Sequence, residues 1–344
     1  MMDVPAWSIA IKTNRLALLD GLRGIAAIGV MLFHAEVAFD SIGTFARGYL
    51  FVDFFFLLSG FVLTLSAERR MNEGWKTSSF LRARIVRLWP ITAIGMCLGA
   101  LAAALGGVQE DIPALLALGL MMMPAILGAG HLFPLNGPQW SIFFELLANL
   151  AHGLLLRRLT SRGLLCLILL AGAALAATIF QVGWNTLGSF SFQWWMALPR
   201  LFFSYSLGIW IGRKWVAGKH RPVVSWEVAL VLPPVCLIAL NAFPAATALG
   251  DIVMTLLLFP LLFWLAAVSA VPPAAEIWLR RAGALSFPLY AVHIPVLAVF
   301  TLLGKSSLIM WLAVCATIAA AWLVERGLHV TAMLRRRSLR PQPV

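Results

Sequence analysis

The sequence predicts an all-α fold, a polytopic transmembrane helix bundle with about ten crossings plus one re-entrant or interfacial segment. Of the 344 residues, 61% are hydrophobic and only 12% are charged, where a soluble domain carries about 25% charged residues. The mean hydropathy is +0.91. This composition excludes a soluble enzyme, a disordered chain and a secreted disulfide scaffold, because too little polar surface is present to face water on all sides.

Eleven apolar runs are close to the length that a helix needs to cross the hydrocarbon layer, about 18 residues. They cover residues 22–39, 49–66, 88–105, 112–128, 140–156, 163–180, 196–212, 226–242, 251–270, 285–303 and 308–324. No soluble domain, repeat or low-complexity linker interrupts them. Residues 1–344 are therefore predicted to form one integral-membrane domain, with a helical core over 18–328 and a basic cytoplasmic tail over 329–344.

Lysine and arginine residues cluster in alternate loops, which predicts that these loops and both termini are cytoplasmic. An even number of crossings is then required. The loops at 69–87 and 157–162 are both basic, and three candidate runs lie between them. One of the three must enter the membrane and return, and the Gly- and Pro-rich stretch Gly128–Pro138 suits such a turn. Arg47, Arg200 and Lys305 are the basic exceptions on the predicted outer side.

The net charge of +12 is explained by this topology and by contact with anionic lipid, so no nucleic-acid partner is predicted. We expect the protein to lie in the inner cell membrane. The four cysteines lie inside apolar runs without close spacing. They are interpreted as packing residues, and no metal site is predicted.

The first predicted helix carries ionisable groups on one face. Arg23 and His34 are eleven residues apart, which is three turns plus about 20°, and Asp20 lies on the same stripe. A rise of about 16 Å puts Arg23 near the cytoplasmic surface and His34 deep in the bilayer. Because ionisable groups are costly inside a membrane, His34 is a candidate functional residue, with a hydrogen-bonded packing histidine as the alternative.

Asp53 lies near the outer end of the second helix, at a depth close to that of His34. It is a candidate to orient the imidazole and to stabilise its cationic form, and a polar helix terminus is the alternative. Arg82, Arg84 and Arg87 follow this helix, and the last two share a helical face. Arginine forks match phosphate oxygens, while the alternative is a topological signal alone.

Two later helices carry polar stripes, which predict a lined cavity inside the bundle. The side chains involved are Ser141, Glu145, Asn149 and His152 on the helix that starts at Trp140, and Ser286, Tyr290 and His293 on the other.

The same residues, in this order, resemble the motifs of the membrane-bound acyltransferase-3 family over nearly the whole chain. The members are multi-pass proteins that move acyl groups, often acetyl, from acyl-coenzyme A to sugars and other acceptors. The matching segments are Arg23 with His34, Val52-Asp53-Phe54-Phe55 through Leu58-Ser59-Gly60-Phe61, Arg84-Ile85-Val86-Arg87 with Pro90, Trp140-Ser141 with Glu145, and Leu285-Ser286-Phe287-Pro288-Leu289-Tyr290 with His293.

The departures from the family pattern leave the charged positions intact. Phe287 stands where the family usually has tyrosine, Val292 where it has tryptophan, and Phe143-Phe144 where it has smaller residues. Some relatives carry a fused extracytoplasmic esterase-like domain, which we do not expect here because only the basic tail follows the last helix.

The resemblance implies an O-acyltransferase that uses acyl-CoA, acetyl-CoA by family frequency, and a hydroxyl of a cell-envelope glycan or similar acceptor. The donor's phosphates would meet Arg23, Arg84 and Arg87, with Arg82 beside them. The reactive end of the donor would run toward His34. His34 would act either as a general base or as a transient acyl carrier, and both roles are compatible with the sequence.

The remaining site residues follow from the same implication. Asp53 or Glu145 would orient His34. The substrate-binding side chains would be Trp140, Ser141, Asn149, Tyr290 and His293.

A proton-coupled transporter or exporter is the alternative function, because polar stripes with histidine and glutamate also suit proton relays. Inverted repeats, which would favour a transporter, are not visible in the sequence. The acceptor, the acyl chain (acetyl, succinyl or longer) and the oligomeric state stay open.

Overall fold

The computed structural model describes residues 6–41, 43–108, 110–126, 130–218 and 220–338, with side chains over residues 16–330 apart from the same gaps. Residues 339–344 of the predicted tail and residues 128 and 129 of the predicted re-entrant turn lie outside the described residues. Within the described ranges the chain is helical, with one isolated antiparallel bridge between His131 and Phe190 and no strand. The all-α prediction is confirmed.

Thirteen helical segments follow one another in the described chain. They are α1 (Ala6–Ala38), α2 (Phe51–Leu63), α3 (Arg69–Asn72), α4 (Thr77–Leu105), α5 (Ile112–Leu120), α6 (Gln139–Leu154), α7 (Ser161–Val182), α8 (Ala197–Ala217), α9 (Trp226–Leu240), α10 (Thr247–Val253), α11 (Phe259–Val268), α12 (Pro273–Thr301) and α13 (Ser307–Ser338). Single turns of π-helix join α2 to α3 and α10 to α11. Residues 329–338 of the predicted tail are thus helical.

Seven helical stretches of the described chain are long and apolar enough to cross a membrane. They are Leu16–Ala38, Gly48–Asn72, Thr77–Leu105, Ser161–Val182, Pro244–Val268, Pro273–Thr301 and Ser307–Val330. Helices α6, α8 and α9 are shorter or more polar. The chain is a multi-pass helical membrane protein, and the number of ten crossings stays a prediction.

Helix α5 has nine residues, a length of about 13.5 Å, which is too short to cross the hydrocarbon layer. The Asp111 carboxylate caps its first turn by accepting from Ala114 N at 3.0 Å. At its other end the side chains of Trp89 and Gln139 donate to the carbonyls of Leu120 and Gly119, each at 2.8 Å. Among the three candidate runs, 112–128 therefore has the short helix and protein-satisfied end that a re-entrant segment needs.

Close helix crossings position the polar residues of α1, α2, α8 and α12. A Cβ atom on Gly24 would lie 2.7 Å from the Ala282 Cβ, and one on Gly283 would lie 2.6 Å from the Asp20 Cβ. The axes of α1 and α12 can approach this closely only because small residues face each other. Arg23 and His34 on α1 thereby face Ser286 and His293 on α12.

Candidate functional site

A cavity of about 150 Å³ lies between α1, α2, α4, α6 and α12. Arg23, Arg84 and Arg87 line it, against the single carboxylate of Glu145. The other lining residues are Val52, Phe55, Phe56, Leu58, Ser59, Val62, Leu63, Leu88, Ser141, Ile142, Ser286, Phe287 and Tyr290. Three guanidinium groups against one carboxylate leave the cavity with a positive charge that suits an anionic ligand.

The charged groups at the arginine end are held by hydrogen bonds. The Arg23 guanidinium donates to Ser286 Oγ at 3.1 Å and contacts Asp20 Oδ1 at 3.4 Å. The Glu145 carboxylate accepts from Arg84 and, at 2.9 Å, from Ser59 Oγ. These contacts orient the guanidinium groups toward the same space, as the helical spacing of Arg84 and Arg87 predicts.

The inner end of the cavity is closed by a hydroxyl pair. Tyr290 and Ser141 lie 2.7 Å apart, Oη to Oγ, and both hydroxyl groups also reach the Pro138 carbonyl, at 3.3 and 3.1 Å. Both side chains are buried. Neither His34 nor His293 is among the lining residues, so the two histidines lie outside the cavity.

Two histidines meet beyond this closure. His34 Nδ1 lies 3.1 Å from His293 Nε2 and 3.0 Å from the Val30 carbonyl oxygen. His293 Nδ1 lies 3.2 Å from the Leu289 carbonyl oxygen. The ring of Tyr290 lies 5.7 Å from that of His293, centroid to centroid. The two histidines therefore continue the line of polar side chains that starts at Arg23.

Two loops lie near the histidines at the end of the bundle opposite Arg23. The ring of His131 stacks on Phe190 with a centroid distance of 4.3 Å, and Leu132 N donates to Ser189 O at 2.9 Å. Desolvation lowers the pKa of His131, and its hydrogen bond with the Ser189 backbone partly opposes that shift. This lowered pKa favours the neutral form of His131.

The structure corrects the expectation that Asp53 orients His34. The Asp53 carboxylate accepts from the Arg200 guanidinium at 2.9–3.1 Å and from Asn185 Nδ2 at 3.1 Å. Asp53 and Arg200 are each about 1% exposed. Both carboxylate oxygens are thus used in a buried ion pair that links α2 to α8 and the α7–α8 loop.

A second expectation, that Glu145 orients His34, is also corrected, since Glu145 bonds Arg84 and Ser59 at the other end of the cavity. The group that contacts His34 is instead His293, which the sequence placed among the substrate-binding residues. Glu145 does not reach His34 because it lies at a different depth in the bundle. It is near the guanidinium groups, one turn of α6 away from Ser141.

Three further predicted site residues lie outside the cavity lining. Arg82 is exposed, because its position on α4 is turned away from Arg84 and Arg87. Trp140 is buried against Phe56 and Phe144. Asn149 Oδ1 accepts from Tyr205 Oη at 3.1 Å. Of the predicted substrate-binding residues, Ser141 and Tyr290 do line the cavity.

Sequence reasoning missed the partners of these residues. Arg200 and Asn185 hold Asp53, and a second buried pair joins Arg47 to Asp251 at 2.9 Å. Arg47 and Arg200 lie on the predicted outer side, where arginine is unusual, and this could have indicated that each has a buried acidic partner. Asn185 gave no comparable signal, because it lies in a loop and its role depends on the fold.

A family model described as an acyltransferase domain, Acyl_transf_3, matches residues 16–326. A curated relative from Rhizobium radiobacter, named "Protein 2 in picA locus", is 36% identical over 157 residues, which are 40% of this chain and 81% of that protein. No solved structure matches the chain. The family match includes every lining residue of the cavity and both members of the histidine pair.

Proposed function

Since the chain belongs to the membrane acyltransferase-3 family and is an acyltransferase, we propose that it moves an acyl group from acyl-CoA to a hydroxyl acceptor, with His34 as the base. The observation that carries this proposal is the continuous order of groups: guanidinium groups at one end of a cavity, a hydroxyl pair at its inner end, and the His293–His34 pair directly beyond.

The arginine end supports an anionic donor. Coenzyme A carries phosphate groups, and Arg23, Arg84 and Arg87 offer them charge-assisted, bidentate hydrogen bonds. The apolar walls, with Phe55 and Phe56 among them, suit the uncharged arm of the donor. The thioester would then lie at Tyr290, and a rotation of this side chain would open the path to His34. Acetyl-CoA is the donor that we propose to test first.

The proposed chemical step is a direct transfer. His34 removes the proton of the acceptor hydroxyl, the oxygen attacks the thioester carbonyl, a C–O bond forms and the C–S bond breaks. The proton on His34 then passes to the coenzyme A thiolate, so no net proton is released. A route through a transient acyl-His34 intermediate would give the same products, the acylated acceptor and the coenzyme A thiol.

The acceptor would approach from the side of the His131–Phe190 stack, opposite the arginine end. A ring stack beside a base suits a sugar, whose C–H faces pack on aromatic rings. We propose a cell-envelope glycan as the acceptor, with the protein in the cell membrane, both termini cytoplasmic and the arginine end facing the cytoplasm. The transporter alternative is not carried forward, because the family match makes the chain an acyltransferase.

The test uses a strain that lacks the gene, complemented with the wild-type protein or with His34→Ala. Mass spectrometry of the envelope glycans should find an acyl mass with the wild-type protein and none with His34→Ala. The reason is that a positioned base contributes about 10²- to 10⁴-fold to such a transfer.

The matched control is His220→Ala. His220 lies outside the cavity and its ring contacts Trp215 and Trp264, so its removal should leave the acyl mass unchanged. Membrane fractions must contain all three proteins in equal amounts. A full acyl mass from His34→Ala would overturn the proposed role of His34.

A further inference from the structure

We propose that His293 is the positioning residue of His34: neutral His293 accepts the Nδ1–H of His34, and this contact leaves the Nε2 lone pair of His34 free as the base. The inference rests on the proposed function and deepens it, since it assigns the reacting atom and the group that controls it. The juxtaposition that carries it is the 3.1 Å contact between His34 Nδ1 and His293 Nε2.

The tautomer of His293 follows from its second contact. Its Nδ1 lies 3.2 Å from the Leu289 carbonyl oxygen, and a carbonyl oxygen can only accept, so Nδ1 carries the proton. In the neutral ring Nε2 then holds the lone pair. This lone pair faces His34.

The tautomer of His34 follows in the same way. Its Nδ1 lies 3.0 Å from the Val30 carbonyl oxygen and 3.1 Å from His293 Nε2, and both of these atoms are acceptors. Nδ1 of His34 therefore carries the proton, and Nε2 holds the lone pair. Nε2 makes no hydrogen bond to any residue in the described part of the chain.

Of the two acceptor atoms, His293 Nε2 is the one that receives no other hydrogen bond from the described part of the chain. The Val30 carbonyl already accepts the backbone N–H of His34 in the regular i to i−4 pattern of helix α1. If His293 were removed, His34 would keep one shared acceptor, and the tautomer with its proton on Nε2 would become accessible. That tautomer cannot act as a base at Nε2.

His293 also stabilises the product of the proton step. When Nε2 of His34 takes the acceptor's proton, the ring becomes an imidazolium whose Nδ1–H points at the His293 lone pair. A hydrogen bond with a charged donor is about twice as strong as a neutral one. His293 thus holds the cation without receiving the proton, and His34 passes the proton on from Nε2.

The experiment measures label transfer from radiolabelled acetyl-CoA into the envelope glycan fraction, in membrane vesicles, for the wild type, His293→Leu and His293→Gln. His293→Leu removes the acceptor, and we expect kcat to fall at least about tenfold while KM for acetyl-CoA stays unchanged, because the arginine end is not touched. His293→Gln retains an oxygen acceptor and should recover most of kcat. A role in packing alone would not produce recovery by glutamine.

A second measurement observes the two rings in the wild-type protein. ¹⁵N NMR of histidine-labelled wild-type protein in lipid should show both rings protonated at Nδ1 only, with His34→Gln used to assign the His34 signals. A proton on Nε2 of His34, or wild-type kcat in folded His293→Leu, would overturn the role of His293. Activity in His34→Ala would instead overturn the proposed function, so the two failures are distinguishable.

Discussion

The ion pair between Asp53 and Arg200 lies in the interior of a protein that lipid surrounds. The Arg200 guanidinium also donates to the carbonyls of Tyr49 and Leu187, at 2.9 and 3.3 Å, and lies over the ring of Trp140. Removing one member of such a pair leaves a buried charge without a partner, whose cost is about 3–5 kcal/mol. The pair therefore attaches the α7–α8 loop to α2 and α8, and Asp53 affects the site through the stability of the fold.

At the residue scale, we predict that Asp53→Asn lowers the free energy of unfolding by about 3–5 kcal/mol. The effect should appear as a lower Tm of the purified protein in detergent. The fraction that stays folded should bind acetyl-CoA as the wild type does, because Asp53 is not among the cavity-lining residues.

Asp40→Asn is the matched control for this variant. Asp40 pairs with Lys305 at 2.6 Å, but its side chain is 71% exposed, so its loss should cost at most about 1 kcal/mol. Equal Tm values for Asp53→Asn and the wild type would show that the buried pair does not stabilise the bundle.

At the scale of elements, α2 and α8 cross at two glycines, one on each helix, and each glycine faces the backbone of the other helix. A Cβ atom on Gly60 would lie 2.1 Å from the Tyr205 carbonyl oxygen, and one on Gly208 would lie 2.1 Å from that of Leu57. The crossing holds Ser59 at the cavity. Gly60 thus has a packing role that explains why a glycine follows this serine.

We predict that Gly60→Ala forces α2 and α8 apart, because the Tyr205 carbonyl oxygen that the new methyl group would meet cannot move without helix α8. Overpacking of this kind costs about 1–3 kcal/mol. Thermal unfolding in detergent should show the loss, and the rate of acyl transfer should fall with it, because Ser59 moves away from Glu145.

Gly327→Ala provides the comparison, since a Cβ at Gly327 would meet no atom of the described residues within 4 Å. It lies in helix α13, where alanine is favoured over glycine by about 1 kcal/mol. An unchanged or higher Tm is expected for it. If Gly60→Ala were equally harmless, the close crossing of α2 and α8 would not be tight in solution.

At the scale of the whole molecule, the three basic exceptions to the predicted topology all have acidic partners. Arg47 pairs with Asp251, Arg200 with Asp53 and Lys305 with Asp40. In the folded protein, each of these three cations on the predicted outer side is therefore paired with a carboxylate.

We predict that topology reporters after residue 75, after residue 160 and at the C-terminus report the cytoplasm, and that a reporter after residue 305 reports the outer side. The Thr77 hydroxyl donates to the Gly153 carbonyl at 3.0 Å, which joins the first two positions at one end of the bundle. An outer location for residues 70–80 would contradict the orientation.

Sequence reasoning predicted the all-α fold because composition and run length depend on no tertiary contact. It also predicted the arginine end, since the spacing of Arg84 and Arg87 determines their shared face. The pairing of His34 with His293 was beyond it, because the two residues are 259 positions apart and only the α1–α12 crossing brings them together.

The same limit explains the error on Asp53. Depth along a helix can be counted from the sequence, but the direction in which α2 faces depends on Gly60 and Gly208. That crossing turns Asp53 toward Arg200 and away from α1. The nine-residue length of α5 was hidden for a similar reason, because the apolar residues continue past its last turn.

The hydroxyl contact between Tyr290 and Ser141 has a consequence for the cell that hosts the protein. The cavity that starts at the arginine end is lined at its inner end by these two residues, and neither histidine is among its lining residues. A charged bilayer stores energy only while it stays insulated, and a line of ionisable groups through it is a leak unless one segment is dry. We expect the contact of Tyr290 with Ser141 to be that dry segment, so that idle copies of the protein can reside in an energised membrane without discharging it.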